Sequence, residues 1–181
     1  IAVGDRDDLG SYSHLELESL PTADWGYDHY PISAAYSRNL GLDFLGMTGK
    51  FHMAWGEFGT FKHPNALRYE CAAMLLNGSK CSVGDQLHPS GKLDDTTYRL
   101  IGEAYREVET KEPWCRDAAS AATTAILAVD ETAENQTHTT GAARMLLETH
   151  VPFDIVDPEM DFSKYRLLLL ATGAPVAPGL A

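Results

Sequence analysis

Residues 82–114 read SVGDQLHPSGKLDDTTYRLIGEAYREVETKEPW. A short apolar run through Cys81 and Val83 stops at Gly84 and gives way to a loop of Asp85, Gln86, His88, Pro89 and Gly91, residue types that punctuate a strand end. Leu93-Asp94-Asp95 then opens a helix. Either aspartate can cap its first turn, and Tyr98, Ile101, Tyr105 and Val108 return at helical spacing with charged residues between them. Strand, polar loop and amphipathic helix make one βα unit. In a parallel α/β barrel the loop of such a unit faces the active site; elsewhere it is an ordinary crossover.

Working upstream, residues 14–31 read HLELESLPTADWGYDHYP. His14, Glu16 and Glu18 alternate with Leu15 and Leu17, so three ionisable groups share one face of a strand and two leucines the other. Carboxylates on a strand face that points inward are costly unless paired, protonated or functional; on an edge strand the same alternation is simply a solvated face. Trp25, Tyr27, His29 and Tyr30 follow in a loop punctuated by glycine and proline. Flat aromatic rings suit a sugar site, because they stack on the apolar C–H face of a pyranose.

Between the two motifs, residues 42–59, LDFLGMTGKFHMAWGEFG, predict another strand and its loop. Phe44, Leu45 and Met47 form its apolar run. Thr48, Lys50, His52, Trp55 and Glu57 then populate the rim, where Lys50 and His52 are placed to hydrogen-bond sugar hydroxyls and Trp55 to stack; a solvated rim loop would read the same way. A helix is expected from about Asn65 to Leu76, with Pro64 at its start, Ala66, Leu67, Cys71, Met74 and Leu75 on its apolar face and Asn77-Gly78 at its end.

A glutamate, a short polar run and Trp25-Gly26-Tyr27, followed downstream by LLNGSKCSVGDQLHPSGKLDD and YRLIGEAY, resemble the closing part of α-L-fucosidase catalytic barrels. Glycoside hydrolase family 29 has a glutamate before a Trp-Gly-Tyr, then a Gly-rich strand, a Pro-x-x-Gly turn and an Ile-Gly helix. The closer likeness is to bacterial proteins, the family 151 fucosidases among them, that join such a barrel to a β-galactosidase-type trimerisation domain. It runs from Leu15 to Trp114, and ESLPTADWGYDHYP and GDQLHPSGKLD carry most of its specificity.

The resemblance implies a retaining mechanism in which one carboxylate attacks the anomeric carbon and a second protonates the leaving oxygen, then activates water. Glu18, nearer the strand's C-terminal end, takes the acid/base role, a role that requires a pKa lifted towards neutrality. Glu16 is the second choice: the family 29 spacing fits Glu16, whereas relatives that contain ESLP point to Glu18. Trp25, Tyr27, His29, Lys50, His52, Trp55, Glu57, Asp85 and His88 are the candidate substrate contacts. No metal or cofactor is implied. The nucleophile of the family is an aspartate on an earlier strand, and nothing in residues 1–14 reads as that strand.

The chain therefore reads as an interior piece of a larger protein, with residues 1–116 the C-terminal part of a (β/α)8 barrel, which typically needs about 250 residues. Residues 117–181 change character. AATTAILAVDE and VPFDIVD are β-type runs flanking the helical GAARMLLETH, and FSKYRLLLLAT is a third strand, a pattern that predicts an open parallel sheet. It resembles the start of the flavodoxin-like, amidotransferase-like trimerisation module. No Gly-rich phosphate loop and no cysteine placed as a nucleophile follow its first strand. Its expected role is subunit contact, in a full-length homo-oligomer, a trimer.

Composition bounds the partners. In 181 residues, 14 basic residues against 26 acidic ones give a net charge of −12, which disfavours nucleic acid and anionic membranes; the expected carbohydrate partner is what the resemblance implies. No apolar run approaches the roughly 20 residues of a membrane span. Cys71, Cys81 and Cys115 are scattered without metal-ligand spacing, so buried free thiols in a reducing bacterial cytoplasm are expected.

Two other functions fit parts of this pattern. A β-galactosidase-like hydrolase would share the second module, yet its nucleophilic glutamate belongs at the tip of the strand that here ends Met47-Thr48-Gly49-Lys50, and Glu57 comes late for it. A non-catalytic carbohydrate-binding barrel would keep the aromatics and lack a working carboxylate pair.

Overall fold

Leu15–Glu18 (β1), Phe44–Gly49 (β2) and Lys80–Gly84 (β3) pair in that order as a parallel sheet in the computed structural model, which describes residues 5–57, 59–129 and 133–171. His29–Ser37 (α1) and Pro64–Leu76 (α2) connect them, and Asp95–Cys115 (α3) follows. The chain divides into two compact units. His14–Ala34 and Leu42–Ala119 make the first; the segments up to Ser13, Ala35–Gly41 and from Ser120 onward make the second.

Local chemistry accounts for these elements. Asp94 caps α3, its carboxylate accepting from the Thr97 N–H at 2.7 Å. Pro64 sits in the first turn of α2, where its missing N–H is no loss. Asn77 ends that helix, its N–H on the Ala73 carbonyl, and Gly78 turns the chain at φ +84°, a conformation that favours glycine. Ile101, Ala104 and Val108 of α3 then pack on Leu67, Cys71 and Leu75 of α2. Each large aliphatic buried there stabilises by about 1.5–3 kcal/mol.

Three local expectations change. The buried stripe of α3 is Thr97, Ile101, Ala104 and Val108, so Tyr98 is left exposed, one position off that face. On β2 the buried alternation is Phe44, Gly46 and Thr48, with Leu45 and Met47 half-buried on the other face. His29 and Tyr30 belong to α1 and not to the preceding loop. Pro31 is tolerated in a helix's first turn and so does not keep the chain irregular there.

In the second unit, Thr124–Leu127 (β4), Phe153–Val156 (β5) and Leu167–Leu170 (β6) form a parallel sheet in the order β5-β4-β6, with Ala133–Glu148 (α4) between β4 and β5. All of β4 and β5 is buried, as expected of parallel strands covered on both faces. Asp154 is the buried charge among them. It pairs with Arg38 Nε at 2.6 Å and Lys164 Nζ at 3.2 Å, and accepts from Tyr165 Oη at 2.8 Å and Ser120 Oγ at 3.0 Å. Residues 130–132 and 172–181, within the expected 117–181 module, lie outside the described residues.

Cys71, Cys81 and Cys115 are free thiols, and Cys71 is buried. Among the described residues no helix is long and apolar enough to cross a membrane.

Candidate functional site

The two faces of the first sheet differ in chemistry. Leu17 and Phe44 pack on Tyr30, Ala34 and Met74, and Gly46 abuts Tyr30 and Met74. Cys81 and Val83 pack on the α2–α3 core. These residues mark the helix-covered face. Because side chains alternate along a strand, Glu16, Glu18, Met47, Gly49, Ser82 and Gly84 lie on the other. The register agrees: Glu18 stands opposite Met47, Met47 opposite Ser82, and Gly49 opposite Gly84.

Glu18 is the last residue of β1 and half-buried, whereas Glu16 is exposed. The Glu18 carboxylate accepts a hydrogen bond from Trp55 Nε1. At its other end the Trp55 ring lies over Gly84, where any Cβ would overlap it. Phe51 meets the same indole edge-to-face, centroids 4.7 Å apart, and its ring occupies the space a side chain at Gly49 would need. One indole thus spans the C-terminal ends of the strands from β1 to β3, the end of a parallel α/β sheet where ligands bind. Gly84 makes room for it, and Gly49 makes room for the Phe51 ring beside it.

The loop after β1 contributes Trp25 and Tyr27, which are 41% and 43% exposed, as Trp55 is at 43%. All three side chains are thus partly exposed at this end of the sheet. Trp25 meets His29 edge-on at 4.7 Å, and Tyr27 meets Tyr69 edge-on at 5.4 Å. His29 Nδ1 lies 3.2 Å from Ser19 Oγ, and burial lowers the pKa of its imidazole.

The loop after β2 is more internally bonded than a solvated rim. Lys50 is buried, its Nζ 3.4 Å from the Thr60 carbonyl and 4.9 Å from the centre of the Phe61 ring. His52 holds the loop through its backbone, its carbonyl accepting from Thr22 Oγ1 and its N–H donating to Thr60 Oγ1 at 3.4 Å. Glu57 accepts the Met53 N–H at 2.6 Å, which holds its carboxyl below the usual range. Asp85 and His88 lie in the loop after β3, where His88 Nδ1 is 2.8 Å from Ser90 Oγ.

Beneath these loops is a buried ion pair that sequence reasoning missed. Lys62 Nζ lies 2.8 Å from Glu70 Oε2 and 2.6 Å from Thr48 Oγ1; Thr48 donates to Glu70 at 2.7 Å, and Tyr27 Oη is 3.4 Å from Glu70 Oε1. Burial lowers the Lys62 pKa, and Glu70 opposes that shift. The network ties the loops after β1 and β2 to α2. Its signal in the sequence was Glu70 itself, a carboxylate inside the Leu67, Cys71, Met74 stripe. Phe51, Gly49 and Gly84 gave none, because their role depends on Trp55 folding back over the sheet.

No protein-family model matches the chain, and no curated protein matches it. Among solved structures it is similar to alpha-L-fucosidase isoenzyme 2 from Paenibacillus thiaminolyticus, with 55% sequence identity and a TM-score of 0.86 over 93% of this chain. The fold is fucosidase-like over that length. The chain spans 27% of the length of that enzyme.

Proposed function

We propose that this chain forms the closing strands of the catalytic barrel of a retaining glycoside hydrolase that removes terminal α-L-fucosyl residues from glycans. The observation that carries this reading is Glu18 at the C-terminal end of β1, on the face away from the helices, hydrogen-bonded to Trp55. Similarity to a bacterial fucosidase at 55% identity supports the substrate class. Sequential pairing β1-β2-β3 with a helix after each strand supports a barrel segment.

Glu18 is the acid/base of this mechanism. It protonates the glycosidic oxygen, then removes a proton from the water that attacks the glycosyl-enzyme. Trp55 keeps the carboxylate in place, and Trp25 and Tyr27 offer aromatic faces to the sugar. Glu16 shares the face but sits two residues further from the strand end, so it ranks second. The nucleophile belongs to another strand of the barrel, about 5–5.5 Å from Glu18, as retention requires.

The strand order β5-β4-β6 supports a flavodoxin-like start for the second module, since second-first-third is how that sheet begins. Its role is subunit contact in a trimer. Three free cysteines favour a reducing cytoplasm.

Assaying the full-length protein on aryl α-L-fucoside and aryl β-D-galactoside tests the reading. Fucoside cleavage is expected. Preferential galactoside cleavage would overturn it and move attention to the loop around Glu57.

A further inference from the structure

Lys50 and Lys62 close the loop that carries Trp55. Just past β2 the Lys50 N–H donates to the Gly84 carbonyl at 2.9 Å, and the Lys50 carbonyl accepts from the Lys62 N–H at 2.9 Å. The main chain thus leaves the sheet and returns to it at one point. There the Lys62 side chain turns inward, 2% exposed, and its ammonium bonds both Thr48 Oγ1 and Glu70 Oε2. Glu70 is held in turn, by the Thr48 hydroxyl on Oε2 and by Tyr27 on Oε1.

Stability alone does not call for such a pair, because apolar side chains of similar volume often stabilise a buried site as well or better. What they lack is direction. An apolar side chain at position 62 would fill the space without fixing the angle at which the chain leaves it, whereas an ammonium shared between two short charge-assisted bonds fixes both.

We infer that Lys62 and Glu70 are positioning residues: the pair sets the neck of the loop after β2 so that Trp55 reaches the Glu18 carboxylate. They act from behind the sheet. Thr48, their common partner, is buried on the helix-covered face of β2 with Phe44 and Gly46, opposite the face of Glu18. A hydrogen bond weakens steeply as its donor swings out of line, so a small rotation at the neck, carried along the loop, separates Trp55 Nε1 from Glu18. The inference rests on the proposed acid/base role of Glu18 for its catalytic meaning, though not for the placing of Trp55.

The test uses the full-length protein with 5-fluorotryptophan in place of tryptophan, the Trp55 fluorine resonance being assigned by its loss in Trp55→Phe. In Lys62→Met combined with Glu70→Leu, which leaves no charge buried, that resonance is expected to shift or broaden. The resonance of Trp114, exposed near the end of α3, should stay in place. On aryl α-L-fucoside kcat/KM should fall about tenfold, as the loss of one hydrogen bond to a charged group implies. Added to Trp55→Phe, the same pair of changes should cost less than about a further twofold, because residues that act through one contact are not additive. Thr48→Val, which removes the shared hydroxyl and leaves both charges, should displace the same resonance, and it decides the matter if the double variant does not fold. A Trp55 resonance at the parent position in the folded variants, or a kinetic loss undiminished in the Trp55→Phe background, would overturn the positioning role. A displaced resonance in a protein unable to cleave aryl α-L-fucoside keeps the positioning and removes the fucosidase reading. Fucoside cleavage with the resonance unmoved does the reverse.

Discussion

Trp55 Nε1 donates a hydrogen bond to the Glu18 carboxylate, joining residues 37 apart in sequence across the C-terminal ends of the strands. The indole can do this because Gly84, on the far strand, leaves room for the other end of the ring. A donor to a carboxylate is worth about 1.5–3 kcal/mol when the acceptor is charged. Trp55→Phe keeps an aromatic side chain, smaller than the indole, and removes that donor. Its kcat/KM on aryl α-L-fucoside should fall about 10- to 100-fold, measured by steady-state kinetics on the full-length protein. Activity within twofold of the parent would detach Trp55 from the reaction.

Gly84 is expected to act through the same ring. In Gly84→Ala the new methyl occupies the position of the Trp55 six-membered ring, so the rigid indole has to shift as a unit. Overpacking of this kind costs about 1–3 kcal/mol. Fucoside hydrolysis should fall with a change in tryptophan fluorescence and no loss of secondary structure by circular dichroism. Unaltered fluorescence and kinetics would mean the indole does not rest there.

The Lys62–Glu70 pair is expected to matter for stability first. Removing one partner of a buried pair leaves an uncompensated charge and costs about 3–5 kcal/mol. Lys62→Ala should show that loss in chemical denaturation. Lys62→Met combined with Glu70→Leu should be milder than either single change, because no charge remains buried. A double variant as unstable as the sum of the singles would contradict this.

Asp154 makes the second unit acid-sensitive. Burial raises its pKa, but Arg38 together with the Tyr165 and Ser120 hydroxyls outweighs that and holds it below the usual carboxylate value. A folded-state pKa below the unfolded one contributes stability that is present above about pH 4 and lost as pH falls through the folded value. Urea midpoints should be level above about pH 5 and drop below about pH 4. In Asp154→Asn the midpoint at pH 7 should be lower and the acid drop shallower. An identical acid limb in the variant would assign the sensitivity to other carboxylates.

Much of this architecture is legible in the sequence where one residue's neighbours in the chain decide its state. The Asp94 cap, the Pro64 and Asn77-Gly78 ends of α2, and the three short β-type runs from Thr124 onward all depend on local chemistry, and each element forms within a few residues of its expected place. Alternation in LELE also puts both glutamates on the face opposite Leu17. What is not legible depends on chain segments that meet only after folding. Lys50 looks like a rim residue until Thr60 and Phe61 close over it. Lys62 and Glu70 announce a pair only once α2 lies under the loop. Tyr98 and Thr97 are adjacent, and which of them faces the core is settled by the helix phase that α2 accepts.

Hydrolysis of aryl α-L-fucoside by the full-length protein, compared with Glu18→Ala with and without azide, tests the acid/base role of Glu18 most directly. Loss of a general acid/base lowers rate typically about 10²- to 10⁴-fold. That collapse is expected, with partial restoration by azide and release of α-fucosyl azide, since azide takes the place of the water that Glu18 would have activated. Activity indifferent to Glu18, or a collapse in Glu16→Ala instead, would contradict it.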